Sequence, residues 1–196
     1  KFNHIRMNKK FLLILLFFLC NNSLINAQQE IKNNQFEVFL EDSGDILMVS
    51  LPAIAGLTTL LKEDWKGTKE FALSFATNLA LTYSLKKIVN KQRPNNINEF
   101  DAFPSGHTSF AFSGASFIQR RYGWQYGKYA YLLATIVGIS RVEGENKRHD
   151  YWDVLSGAII GIGSTYIFTK PYQNNPIKIS FNSNGEIHLL SLRYTF

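Results

Sequence analysis

The sequence has one cysteine, five prolines, two methionines and four histidines in 196 residues. A single cysteine excludes an internal disulfide, and it excludes a zinc site built on two or four thiolates. Only 18% of the residues are charged, against 45% hydrophobic and 14% aromatic. That balance is too apolar for a disordered chain and is sufficient for a real core. The length suits one domain and leaves little room for two. Acids are the minority charge, 15 against 21 Lys and Arg, for a formal charge of +6. At face value the excess points to nucleic acid or an anionic membrane.

The N-terminus removes much of that excess. Met7 reads as the start, with residues 1–6 upstream of it. Lys9 and Lys10 precede an unbroken apolar run from Phe11 to Cys20, and Asn21-Asn22-Ser23 and Ile25-Asn26-Ala27-Gln28 follow. This is the pattern of a secretory signal peptide ending at Ala27. An apolar run of that length is too short to span a bilayer. Residues 1–27 carry Lys1, Arg6, Lys9 and Lys10 and no acid, so 17 basic and 15 acidic residues remain, or +2, with no cysteine. A nucleic-acid partner is not expected, and thiol catalysis is excluded.

Beyond a polar lead-in over 28–41, five apolar stretches follow: Ile46–Leu61, Phe71–Leu85, Gly106–Ile118, Tyr129–Val142 and Val154–Phe168. Ala, Leu, Ser and Gly dominate them, which favours helices. A short helix is predicted around Phe36–Glu41. The expected architecture is an all-α bundle of five to six helices over residues 42–170. Residues 171–196 read differently. Two β-type runs flank Asn182-Ser183-Asn184-Gly185, a hairpin signal, and two strands cannot close a barrel, so the hairpin is expected to pack on the bundle. The apolar stretches are shorter than a comfortable membrane span of about 20 residues, and the mean hydropathy is −0.10. Buried helices of a soluble periplasmic bundle and short or tilted spans both fit. In the second reading Arg120-Arg121 and the aromatics Tyr122, Trp124, Tyr126 and Tyr129 sit at an interface.

Three clusters carry chemistry. Lys86 and Arg93 are seven residues apart, so one helical face presents both, and Pro94 ends the helix. Two such cations can grip a dianion. In Pro104-Ser105-Gly106-His107, Ser105 caps a helix, Gly106 lets an anion approach the backbone, and the first amides of the helix favour negative charge. His107 stands there with a group suited to proton transfer. In the third cluster His149 and Asp153 are four apart, so a carboxylate can fix the tautomer of an imidazole. Arg141 adds a planar fork of donors for phosphate oxygens. Each cluster alone is commonplace. Lys87 and Lys91 read as a solvated basic helix end, Glu99 and Asp101 as a solvated loop, His188 as an exposed strand residue, and Trp65, Trp124 and Trp152 as packing or interface residues.

Taken together and in this order, Lys-x6-Arg-Pro, Pro-Ser-Gly-His and Ser-Arg…His-x3-Asp resemble the type 2 phosphatidic acid phosphatase superfamily. That superfamily includes bacterial class A acid phosphatases and vanadium haloperoxidases. The resemblance covers about residues 42–170. It implies a metal-independent phosphatase of the cell envelope with no cofactor. In it His149 attacks phosphorus and forms a phosphohistidine, Asp153 orients His149, and His107 protonates the leaving oxygen and later activates water. Lys86, Arg93, Ser105, the Gly106 amide and Arg141 bind the phosphate oxygens. The implied substrates are envelope lipid phosphates: lipid A phosphate, phosphatidate, phosphatidylglycerophosphate or an isoprenyl pyrophosphate. The alternatives are a soluble periplasmic acid phosphatase of broad specificity, a vanadate haloperoxidase, or an inactive phosphate-binding envelope protein. One departure stands out. Seven residues separate Arg141 from His149 where family members usually have five.

Overall fold

The computed structural model describes residues 9–96, 98–172, 177–185 and 188–194, with side chains described from residue 35 on except at some positions of the C-terminal segment. Five helices follow in chain order: α1 (Lys9–Leu61), α2 (Trp65–Val89), α3 (Gly106–Tyr122), α4 (Trp124–Glu143) and α5 (Tyr151–Phe168). Strands β1 (Ile177–Ser183) and β2 (His188–Tyr194) close the described chain as an antiparallel pair.

The helix boundaries have local causes. Asp64 caps α2 by accepting the Gly67 N–H at 2.9 Å. Ser105 caps α3 and Asp150 caps α5. In α5 the cap is reciprocal: Asp150 accepts the Trp152 and Asp153 amides, and the Asp153 side chain accepts the Asp150 amide, the geometry of a capping box. Asn90, in the left-handed region, turns the chain off α2. Gly123, at φ 96°, ends α3 and begins α4 at one residue, a conformation that suits glycine.

Two expectations change here. Residues 28–41, expected as a lead-in holding one short helix, are helical throughout and continuous with the Ile46–Leu61 stretch in α1. A run of good helix formers such as Gln, Glu and Lys extends a helix that tertiary contacts already hold. The first eight residues of the segment read as a signal peptide lie outside the described residues. The hairpin forms as expected, with Gly185 at φ 91° in its turn, but among the described residues neither strand packs on a helix.

α3 is the hub. It packs on α5, α4, α1 and α2, and its buried face is small: Ser109, Ala111, Ser113, Gly114, Ala115 and Ser116 beside Phe117. Small residues let backbones approach. A Cβ on Gly157 of α5 would lie 2.5 Å from the Ser105 carbonyl oxygen, and one on Gly161 would lie 2.3 Å from that of Ser109. The N-terminal ends of α3 and α5 therefore meet, and the Ser105 N–H donates to the Asp153 carbonyl at 2.9 Å.

The interior combines an apolar cluster around Leu51, Phe117 and Val137 with many buried polar side chains. Inside, Asn78 donates to the Ser109 carbonyl, Thr82 bonds the Ser109 hydroxyl, and Thr165 donates to the Ser113 carbonyl. Outside, Ile54, Leu57, Leu73, Leu81, Leu132, Ile139, Leu155 and Ile159 are exposed. Trp65, Trp124 and Trp152 are exposed as well, so they belong to the surface rather than to core packing.

At the end of the bundle away from the clusters, Arg121 is enclosed. It bonds Asp64 through Nε (2.7 Å) and Nη2 (2.5 Å), Glu70 at 3.3 Å and the Lys170 carbonyl at 2.8 Å. Burial works to raise the Asp64 carboxyl, but the guanidinium and the Gly67 amide outweigh it and hold it below the usual carboxylate range. Removing one partner of a buried pair leaves the other charge uncompensated, at a cost of about 3–5 kcal/mol. Arg121→Ala is expected to lower the unfolding free energy by about that amount, read from denaturant unfolding. A loss within about 1 kcal/mol, typical of exposed pairs, would show that this cluster behaves as a surface one.

Candidate active site

The Lys86 end of α2, the loop after it, and the first turns of α3 and α5 meet at one end of the bundle. They enclose a cavity of about 250 Å³. It is lined by the polar or charged residues Lys86, Arg93, Asp101, His107, His149 and Thr82, by Gly106, and by Met48, Tyr83 and Phe110. Two larger grooves, of about 450 and 440 Å³, are lined mainly by apolar side chains and include no histidine.

The imidazoles reach the cavity from different elements. His107 is the second residue of α3. His149 precedes α5, and its amide donates to the Arg141 carbonyl at 3.2 Å. Its Nδ1 is buried without a hydrogen-bonding partner, and the nearest carboxylate oxygen, Asp153 Oδ2, is 3.7 Å away. That is an ion-pair separation and too long for a hydrogen bond. Asp153 is wholly buried. Its Oδ2 accepts the Asp150 amide at 3.0 Å and its Oδ1 accepts Lys91 Nζ at 2.7 Å.

The cations are already partnered. Arg93 grips Asp101 with two bonds, Nε–Oδ1 at 2.7 Å and Nη2–Oδ2 at 3.1 Å. This bidentate contact holds the Asp101 carboxyl below the usual carboxylate range, against the smaller effect of burial. Lys86 donates to the Asp101 carbonyl. Arg141 is buried and does not line the cavity. Its Nε bonds Ser140, its Nη1 bonds Asp45 at 2.8 Å and its Nη2 bonds the Glu41 carbonyl at 2.9 Å. Ser105 is also buried, with its hydroxyl shared with Thr108, so it acts as the α3 cap. Gly106 faces the cavity, and as a first-turn residue its amide has no acceptor within the helix.

Six of the eight motif residues thus stand at the cavity or directly behind it: Lys86, Arg93, Gly106, His107 and His149 on its wall, with Asp153 behind His149. Ser105 and Arg141 stand one layer back. The long loop between Arg141 and His149 is held by α1. Glu41 accepts the Asn146 amide and side chain, at 3.0 and 2.9 Å.

Three contributors escape motif reasoning. Lys91 is bonded to Asp150 and Asp153 and is not a solvated helix end. Asp101 is bound to Arg93 and is not a free loop acid. Asp45 of α1 bridges Arg141 Nη1 and His107 Nε2, the latter at 3.2 Å. The available signals were the place of Lys91 two residues before Arg93, and an acidic run on α1 with no basic partner nearby. Among the described residues no cluster of His, Cys, Asp and Glu is grouped to hold a metal ion.

Two imidazoles, two cations and the start of a helix around one small cavity define a phosphoryl-transfer site on a helical bundle, since such chemistry needs chiefly positioning and charge stabilisation. The PAP2 superfamily model matches residues 67–177. The chain belongs to this superfamily and is a phosphatase. It is 31% identical over 151 residues to the lipid A 4'-phosphatase of Helicobacter pylori, covering 71% of this chain and 74% of that one. It is 42% identical over 66 residues to the lipid A 1-phosphatase of Porphyromonas gingivalis, covering 32% of this chain and 14% of that one. Its fold is similar to the crystal structure of Aquifex aeolicus LpxE, with a TM-score of 0.58 and 24% identity over 68% of this chain and 84% of that one. Glu41 and Asp45 lie before the matched residues.

Burial and the Arg141 guanidinium push His107 down to about 4, and the Asp45 carboxylate opposes them only in part. A bound anion favours the charged imidazole. Titration of His107 by NMR is therefore expected to show a midpoint near 4 in the free protein, and added vanadate is expected to move it upward. A midpoint unmoved at saturating vanadate would place the anion away from His107.

Proposed function

We propose that this chain hydrolyses phosphomonoesters or pyrophosphates of membrane lipids, without a metal, through a phosphohistidine on His149. The observation that carries the reading is the cavity itself. His149, His107, Lys86 and Arg93 line it together with Met48, Tyr83 and Phe110, a mixed lining that suits a dianion joined to an apolar body. The names of the relatives point to the same substrate class.

The chemistry follows from the residues. The His149 lone pair attacks phosphorus while the bond to the leaving oxygen breaks, and His107 gives that oxygen its proton. Water then attacks the phosphorus–nitrogen bond, His107 takes the water proton, and inorganic phosphate leaves with His149 restored. His107 rests neutral in the empty site. The entering dianion raises its affinity for the proton it must donate. Lys86, Arg93 and the Gly106 amide face the charge that spreads over the phosphoryl oxygens, and Arg141 stands behind them, bonded to Asp45.

Membrane association belongs to the same reading. An outer surface rich in large apolar side chains over a core of small and hydrogen-bonded polar residues suits lipid as the surrounding solvent, and aromatic side chains at both ends, Trp65 and Trp124 at one and Tyr151 and Trp152 at the other, suit its interfaces. Among the described residues one helical segment, Gln35–Leu61, is long and apolar enough to cross a membrane. Export, with the site on the periplasmic side, completes the proposal.

The test is a phosphate-release panel of lipid and soluble phosphoesters in detergent, with His149→Ala beside the wild type. Release from lipid phosphates at least tenfold faster than from soluble esters is expected, with loss of about 10³-fold or more in His149→Ala. Equal rates on both classes would favour a broad acid phosphatase. Full activity in His149→Ala would overturn the phosphohistidine.

A further inference from the structure

Lys91 sits two residues past the end of α2, on backbone fixed by the Ala102 amide, which donates to the Lys91 carbonyl at 3.0 Å. From there its ammonium reaches across to α5, at 2.7 Å from Asp153 Oδ1 and 2.5 Å from Asp150 Oδ2. An ordinary surface ion pair has two exposed partners. Here the Asp153 carboxylate has no exposure and Lys91 is one-third exposed. Lys91 does not line the cavity, so it is not placed to touch a phosphate.

We propose that Lys91 is a positioning residue that fixes the Asp153 carboxylate, ionised and in one rotamer, against Nδ1 of His149. The proposal rests on His149 as the nucleophile. For His149 to attack through Nε2 it must be neutral and carry its proton on Nδ1. The carboxylate oxygen nearest Nδ1 is Asp153 Oδ2, at 3.7 Å, so it favours a proton on Nδ1 through its charge rather than through a formed hydrogen bond. With Lys91 on Oδ1 and the Asp150 amide on Oδ2, both oxygens have a fixed donor and the carboxylate cannot turn away. The charge matters as much as the bond. A carboxyl with no exposure tends to take up a proton, and a protonated Asp153 cannot stabilise the imidazolium character that develops as His149 bonds to phosphorus. Burial works to raise the Asp153 carboxyl, while the neighbouring imidazole, the Lys91 ammonium and the Asp150 amide together hold it below the usual range. The other charged or titratable groups facing the pair are Lys86 and Asp101 across the cavity and His107 from α3. None of these reaches Oδ1.

The experiment measures kcat and KM against pH for the full chain in detergent, with phosphatidate in mixed micelles as the substrate. The variants are Lys91→Met, Lys91→Gln and Lys91→Arg, beside His149→Ala. Removing a positive charge beside the pair makes proton uptake easier, so the acid limb of kcat/KM is expected to move up by about one pH unit in both neutral variants. On the plateau kcat is expected to fall about tenfold with KM within about twofold. Lys91→Arg, which keeps the charge, is expected to restore both. Lys91→Gln serves if Lys91→Met does not fold, and thermal unfolding separates instability from a shifted limb. A wild-type acid limb in whichever neutral variant folds, with His149→Ala inactive, overturns the role of Lys91 alone. A raised KM at unchanged kcat overturns it in favour of direct phosphate contact. Activity in His149→Ala overturns the nucleophile, and this proposal with it.

Discussion

A single buried carboxylate ties the catalytic end together. Asp153 has no exposure, yet it stands where four pieces of chain meet. Its side chain closes the first turn of α5 onto the Asp150 amide and takes the Lys91 ammonium from the loop after α2. Its main-chain carbonyl takes the Ser105 amide at the start of α3. The His149 ring lies beside it. An ionised group in such a place is tolerated only when its lone pairs are satisfied and its charge is matched. On the proposed reading, the same residue both imposes a structural demand and makes the environment that an imidazole nucleophile needs. The glycine contacts between α3 and α5 bring these partners within reach, because any larger residue at 157 or 161 would push the two helix starts apart.

α1 extends this end of the bundle beyond the matched family segment. Glu41 holds the loop from Arg141 to His149, and Asp45 joins Arg141 to His107. The loop between Arg141 and His149 is anchored at both ends. The Arg141 carbonyl accepts the His149 amide, and Asn146 in the middle of the loop is bonded to Glu41 of α1. Arg141 in turn spends its donors on α1 and on Ser140, which is why its guanidinium lies behind the cavity and not on its wall.

Much of this was legible in the sequence, for definite reasons. The helices were, because Ala, Leu, Ser and Gly runs bounded by caps act locally, and Ser105 caps where the motif places it. The hairpin was, because Asn184-Gly185 supplies the positive φ its turn requires. The buried polar side chains were hinted at by Ser and Thr scattered through apolar runs, but the direction each faces depends on neighbouring helices. Asp45 pairing with Arg141 and Lys91 with Asp153 link residues 96 and 62 positions apart. Charges on separate helices look solvated one at a time, and only the packing of α1, α3 and α5 shows which of them meet. The hairpin's separation from the bundle was illegible in the same way, since its own pairing is satisfied without a helix.

The pairing of charges also bears on which anion the site can take. Lys86, Lys91, Arg93 and Arg141 face Asp45, Asp101, Asp150 and Asp153, so the empty site is close to balanced. The carboxylates are not equivalent. Asp153 is wholly enclosed, while Asp45 and Asp101 are about half exposed at 53% and 51%. On the proposed reading, an entering dianion displaces the two exposed carboxylates, which water receives at little cost because exposed pairs are weak. It leaves the buried pair of Lys91 and Asp153 intact. A monoanion offers too little charge to replace both Asp45 and Asp101. The preference for a phosphate dianion then arises from competition with the site's own carboxylates and not from an excess of positive charge, in keeping with a chain whose basic surplus largely falls in its first 27 residues.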